Sequence, residues 1–445
     1  MFICFGNLKT LPVRVLLATA LALLCACGED TGALSDSAQP ASEVAGAVEN
    51  GVAQAAPAQR YAREFPAIGY AANSPTDAVA QLATRLGGAG YSMQAHPQRG
   101  YLDAALEVLG IDAASQILVF SRTSQQVDGI TAATPRAIYF NDDVYVAWVP
   151  GASNLEFASV DAQLGAVFYT LAQSERVIER RFELCLSCHD SYSLTGGGVP
   201  RMITGSGYIG TDGNIVTHEG WILTNDRTPL RSRWGGWYVS GMHGEQVHLG
   251  NIAVESVYEL EDLESLRNGN YENLQTLLDV SPYLTDKSDI VALLVFEHQT
   301  TVQNAIIRLN WDYRQALPAS YDIEPLVAAL LMAGTPVLTD AVAGTAGFEA
   351  QFLARSRRDA AGRSLRDFDL QTRLFRYPLS YVIHSPAFAA LPDSLKVEVL
   401  TRLRAELLGE SPQLENVPGD ADARRAAWEI LLEVQPAYAA LVAAR

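Results

Sequence analysis

The chain has 445 residues, 49% of them hydrophobic, which is ample material for a large core and excludes a disordered polymer. Its 50 acidic against 32 basic residues give a net charge of −18, which disfavours nucleic acid or anionic lipid as a partner and leaves long-range attraction to basic proteins.

Lys9 and Arg14 precede an apolar run from Val15 to Leu24, so residues 1–26 have the layout of a secretory signal. That run is too short for a stable membrane anchor. Leu24-Cys25-Ala26-Cys27 resembles a bacterial lipobox, which makes Cys27 the expected site of lipidation; the alternative is an ordinary signal that leaves Cys27 as a stray thiol. The expectation is a periplasm-facing lipoprotein of the cell envelope, attached to membrane only through its lipid. Gly28, in place of Asp after the lipid cysteine, points to the outer membrane over the inner. Of the five cysteines, Cys4 and Cys25 leave with the signal and Cys27 takes lipid, so Cys185 and Cys188 remain. In an oxidising compartment that pair needs an occupant.

Residues 27–60 are rich in Ala, Ser, Gln, Gly and Asp without apolar periodicity and read as a flexible tether. Folding starts near Tyr61. Asn73-Ser74-Pro75-Thr76-Asp77 offers caps for a helix through about Leu86, and Tyr101 to Leu109 predicts a second one closed by Gly110. Short β-branched and aromatic runs follow at 117–120, 137–140, 144–149 and 166–169, with Asn141-Asp142-Asp143 as a hairpin connection, and predict a small antiparallel sheet. Residues 185–251 are Gly- and aromatic-rich, the composition of a looped site on a scaffold. From 255 the chain reads as mainly helical. The strongest segment runs from Ser288 to about Gln315, with Val291, Leu294, Val295, Val302, Ala305, Ile306 and Leu309 on one face. Further helices are expected at about 322–333, 346–360, 394–408 and 421–442. The fold class is therefore α+β: a mixed part over 61–254 with a looped site in its middle, and a helical part over 255–445 packed on it.

Cys185-Leu186-Ser187-Cys188-His189 is the C-x-x-C-H pattern of c-type haem attachment. Two thiols add to the porphyrin vinyl groups across one face, and the next residue presents an imidazole to the iron, so one short segment fixes macrocycle and axial ligand together. One covalent haem c is the expected cofactor, and a redox protein, possibly basic, the expected partner. Two rivals use the same letters. A thioredoxin-like site needs a good helix after the pair, which Asp190-Ser191-Tyr192-Ser193-Leu194-Thr195-Gly196-Gly197-Gly198 does not supply. A structural zinc site would add His243 and His248.

A single motif in so long a chain implies either a substrate or partner site beside the haem or a large docking scaffold. Two strong axial ligands suit electron transfer, whereas an open site permits peroxide or oxidase chemistry. Candidates for the sixth ligand lie in the segment 234–251, ranked His248, His243, Met242, with the two histidines as acid/base candidates in an enzymatic reading. Met202 is a weaker ligand candidate. Arg231 and Arg233 are the chosen partners for the haem propionates, ahead of Arg227, and Trp234, with Trp237 and Tyr238, is a candidate pocket wall. His298 faces inward from the long helix, where a hydrogen-bonded core histidine is the plainer reading; His218 reads as solvated. A haem-based sensor or scaffold in an envelope complex is the remaining alternative. No phosphate-binding loop, H-E-x-x-H motif or nucleophile elbow is present.

Phe140-Asn141-Asp142, the Cys185–His189 motif, Arg233-Trp234-Gly235-Gly236-Trp237-Tyr238-Val239 and Tyr377-Pro378-Leu379-Ser380-Tyr381 together resemble a group of exported bacterial proteins carrying one cytochrome c motif, over about residues 65–440. The resemblance implies a haem protein and names no reaction. His243 and His248 match the paired histidines of that group. Its members read Thr-Asp-His before a Ser/Thr-Pro step where this chain has Asn225-Asp226-Arg227-Thr228-Pro229, so a chemistry that needs that histidine is lacking here.

Overall fold

The structure is a computed structural model that describes residues 63, 65–124, 126–195, 198–216, 220–254, 269–315 and 321–443. The expected signal, Cys27, the tether and His218 lie outside the described residues. Contacts group Gln59–Arg445 as one compact unit. Among the described residues no helix is long and apolar enough to cross a membrane.

Helix α1 (Ala78–Gly87) begins where Asp77 accepts hydrogen bonds from the backbone of Val79 and Ala80. Helix α2 (Leu102–Leu109) ends at Gly110 in the left-handed conformation, as the sequence predicts. Six strands then run as a meander: β1 (Ile117–Val119), β2 (Arg136–Phe140), β3 (Val144–Trp148), β4 (Asn154–Asp161), β5 (Gly165–Ala172) and β6 (Val177–Arg180). All neighbours are antiparallel, and Asn141 closes the β2–β3 hairpin by accepting hydrogen bonds from the Asp143 and Val144 amides.

The segment after the sheet carries helix α3 (Glu183–His189), helix α4 (Tyr192–Thr195) and four short strands, β7 (Gly205–Gly207), β8 (Ile209–Gly210), β9 (Trp221–Leu223) and β10 (Trp237–Tyr238). Strand β10 returns to pair with β1 and makes the sheet seven-stranded, in the order β10-β1-β2-β3-β4-β5-β6. The Trp234-Gly235-Gly236-Trp237 turn permits this return because a Cβ on Gly235 would strike the backbone of Gly207, and Gly236 has a φ of +86°. Strand β11 (Ala253–Val254) pairs with β8.

Helix α5 (Ile290–Arg314) is capped by Asp289 and lies across the sheet. Phe296 packs on Phe140 and Tyr145 at ring separations of 5.5 Å, and Tyr145 donates to Gln303 at 2.6 Å. The expected apolar stripe is only part of the picture, since residues 290–300 are buried throughout, including Glu297, His298, Gln299 and Thr300. Helices α6 (Glu324–Leu330), α7 (Phe348–Ala354) and α8 (Pro386–Ala389) pack on α5; α9 (Asp393–Leu407) packs on α6, and α10 (Ala421–Val434) and α11 (Pro436–Ala443) pack on α9. Pro436 breaks the single helix expected at 421–442, because it has no amide proton to continue the ladder. The architecture is α+β, with a central sheet and a helical C-terminal part.

Candidate functional site

Helix α3 starts directly after strand β6 and holds Cys185, Cys188 and His189 within one turn. Residues three and four apart share a helical face, so both thiols and the imidazole address the same side. Neither cysteine is in a disulfide; Cys185 is half-buried and Cys188 exposed. Leu186, between them, is buried and anchors the helix, while Leu184 on the outside is 63% exposed. Asp190 ends the helix and forms a buried ion pair with Arg63.

The imidazole of His189 packs on Phe168 of β5 with a ring separation of 4.3 Å. Its Nδ1 lies 2.7 Å from the backbone carbonyl of Arg201, and the amide of Arg201 in turn donates to the carbonyl of His189 at 3.0 Å. A carbonyl can only accept, so Nδ1 carries the proton and Nε2 keeps its lone pair, the tautomer a metal needs. Burial holds this imidazole below its ordinary pKa, favouring the neutral form. The next residue, Met202, is clamped to α5: Asn304 accepts from its amide and donates to its carbonyl, both at 2.9 Å. Arg201 and Met202 thus tie His189 to helix α5. The residues present fit a covalent c-type haem: paired thiols, an oriented imidazole and an exposed outer face. Among the described residues no cluster of three potential metal-binding side chains occurs, and the thiols and His243/His248 do not assemble into a zinc site.

The other chosen residues lie elsewhere. Gly241 is bridged to Tyr271 and Met242 to Ala343, and the amide of Ile290, at the start of α5, donates to Ser240. Ile290 and Asn304 are fourteen residues apart on α5, about 21 Å at 1.5 Å per residue. His243 and His248 are buried against one another, with ring centroids 4.8 Å apart; the Nδ1 of His243 bonds to the Gln246 carbonyl, and His248 packs on Trp234, next to the Arg233 that pairs with Glu297 of α5. Met242 is 48% exposed at the surface. The structure therefore does not bring His243, His248 or Met242 to His189. Burial and the neighbouring His243 push His248 well below its ordinary pKa.

Arg233 is committed to the interior. Its guanidinium donates to Glu297 at 3.0 Å and to the carbonyls of Thr228 and Asp226 at 2.6 and 2.8 Å, leaving little for a propionate. Trp234 is buried beside His248, and Arg231 is exposed on the turn before it. Trp237 donates to the carbonyl of Gly205, and Tyr238 to that of Ala132, so both are packing residues with satisfied polar ends.

The segments that carry the sequence resemblance converge on α5. Glu297 takes Arg233, Gln299 donates to the Asn141 carbonyl at 2.9 Å and accepts from Tyr381 at 2.6 Å, and Gln303 donates to the Asp142 carbonyl at 2.7 Å. His298 sits between Asp226, 2.8 Å from Nδ1, and Ser380, 2.8 Å from Nε2. The order Asp–His–Ser is that of a hydrolytic triad, but Ser380 is fully buried and its Oγ accepts the amide of Val382 at 3.3 Å. A small cavity is lined by Asp226, His298, Leu294 and Met332 and not by Ser380. Ser380 is buried outside the lining of that cavity, and the Asp226–His298–Ser380 cluster ties two segments to the helix.

Sequence reasoning passed over Phe168, Arg201 and Asn304. Pro200-Arg201-Met202 drew attention for its thioether, whereas its contribution to His189 is a backbone carbonyl, which leaves no side-chain signature. Compared with known protein families, characterised proteins and solved structures, the chain matches none.

Proposed function

We propose that the protein is an exported c-type cytochrome that holds one covalent haem through Cys185, Cys188 and His189 and transfers electrons in the cell envelope. The observation that carries this reading is the hydrogen bond from His189 Nδ1 to the Arg201 carbonyl, on a helix whose same face presents both thiols. When bound, the haem supplies a one-electron couple between ferric and ferrous iron. Cys185 and Cys188 fix the macrocycle; Arg201 and Phe168 orient the imidazole; Asn304 ties the loop to α5. Cys188 and Leu184 are exposed, which favours a haem edge close to a docking partner.

The acidic balance favours a basic redox protein as that partner. A signal over residues 1–26 and lipidation at Cys27 would place the protein at the periplasmic face of a membrane, the outer one on the strength of Gly28. The peroxidase or oxidase reading, with His243 or His248 as acid/base, has less support because those rings pack on one another and on Trp234, with no contact to His189 among the described residues. A sensor or scaffold role would require the helical part to respond to the iron.

The test is optical redox titration of protein exported from a host with cytochrome c maturation, with carbon monoxide then added to the reduced form. A reversible c-type spectrum that ignores carbon monoxide supports an electron carrier. Rapid carbon monoxide binding or peroxide turnover favours the enzyme or sensor readings.

A further inference from the structure

Arg201 combines two features that the haem reading itself does not use. Its side chain is half-buried, with Nη2 donating to the Leu194 carbonyl and a buried Nε that has no hydrogen-bond partner among the described residues. No carboxylate forms an ion pair with it among the described residues; the charge that acts on it is Arg308, of the same sign, which is itself paired with Asp312 at 2.6 Å. A half-buried guanidinium with an unsatisfied Nε and no counter-charge favours an arriving anion. The position of Arg201 says which anion. Its own carbonyl holds the imidazole that would ligate the iron, and its guanidinium reaches the carbonyl of Leu194, five residues after His189. Arg233, by contrast, already has Glu297.

We propose that Arg201 is a positioning residue for the prosthetic group: its guanidinium pairs with a haem propionate, while its carbonyl orients His189. The proposal rests on the haem reading above. A planar fork suits a carboxylate and supplies two hydrogen bonds. A positive charge beside the macrocycle disfavours the ferric state, so it raises the reduction potential.

The experiment is spectroelectrochemical titration of the haem-loaded wild type, Arg201→Gln, Arg201→Lys and Arg425→Gln. Because the carbonyl that holds His189 is backbone, these substitutions leave that bond in place. Arg201→Gln should favour the ferric form about tenfold at a fixed potential, ~59 mV lower for one electron. Arg201→Lys should stay near wild type in potential, and Arg425→Gln, exposed on α10, should match wild type. A wild-type potential in Arg201→Gln overturns the proposal. If the Gln variant does not fold, resonance Raman of Arg201→Lys decides: the propionate bending mode must shift, since an ammonium cannot reproduce the fork, and an unchanged mode overturns the assignment. A wild type without covalent haem is a different result, because it removes the haem reading and this inference with it.

Discussion

The imidazole Nδ1 of His189 lies 2.7 Å from the carbonyl oxygen of Arg201, and the amide of Met202, one residue on, donates to Asn304 of α5 at 2.9 Å. The orientation of this imidazole is therefore set by a helix more than a hundred residues away in sequence. Asn304→Ala should free the Met202 backbone, cost about 1–3 kcal/mol through two lost hydrogen bonds to a partly buried segment, and broaden the haem's axial signals. Urea unfolding and electron paramagnetic resonance of the ferric protein measure the two effects; an Ala variant equal to wild type in both would remove the clamp from the account.

The Arg233–Glu297 pair is buried on both sides. Arg233→Ala should destabilise the fold by about 3–5 kcal/mol, because it strands a carboxylate that burial already pushes upward in pKa. The Arg233→Met/Glu297→Leu double variant should lose less than either single change. Denaturation midpoints check this, and surviving folded protein should keep its haem.

His243→Ala and His248→Ala should leave the haem spectrum of the folded protein unaltered, since His243 bonds to the Gln246 carbonyl, His248 packs on Trp234, and neither contacts His189 among the described residues. Loss of a low-spin ligand band in either variant would show that one of them reaches the iron.

Burial, with Arg357 and Arg366 nearby, depresses His384 from 6.5 to about 4. The unfolded chain takes up this proton first, so stability is fully present above pH 6.5 and is lost as pH falls toward 4. Asp143, pushed up to about 6 by burial beside Asp142, acts with the opposite sign between 3.8 and 6. The readout is therefore the difference between wild type and His384→Gln: the wild type should lose more melting temperature between pH 7 and 4. Parallel curves would contradict it.

How far the sequence reaches follows from the range of each signal. Asp77, Gly110 and the Asn141-Asp142-Asp143 turn act within a few residues, and the structure places them as expected. Strand β4 escaped because Leu155 and Phe157 alternate with Glu156 and Ala158 in a run less apolar than its neighbours. The pairing of Trp237 with Val119 escaped because nothing local encodes a partner so distant. The long helix and its inward-facing His298 were legible, but its buried Glu297 and Gln299 were not, since polar residues in a helical pattern read as a solvated face. The same distinction holds at the site. The C-x-x-C-H pattern is local; a second axial ligand would depend on which loop the fold brings to the other side of a haem, and sequence separation from His189, which pointed to 242–248, carries no information on that.

The most direct test is intact mass and thiol accessibility of the chain exported with cytochrome c maturation, alongside Cys185→Ser, Cys188→Ser and the double variant. The account predicts one covalent haem per wild-type chain, no reactive thiol at Cys185 or Cys188, weakened attachment in each single variant and none in the double. An exported, folded wild type with no added haem mass and both thiols reactive would contradict it.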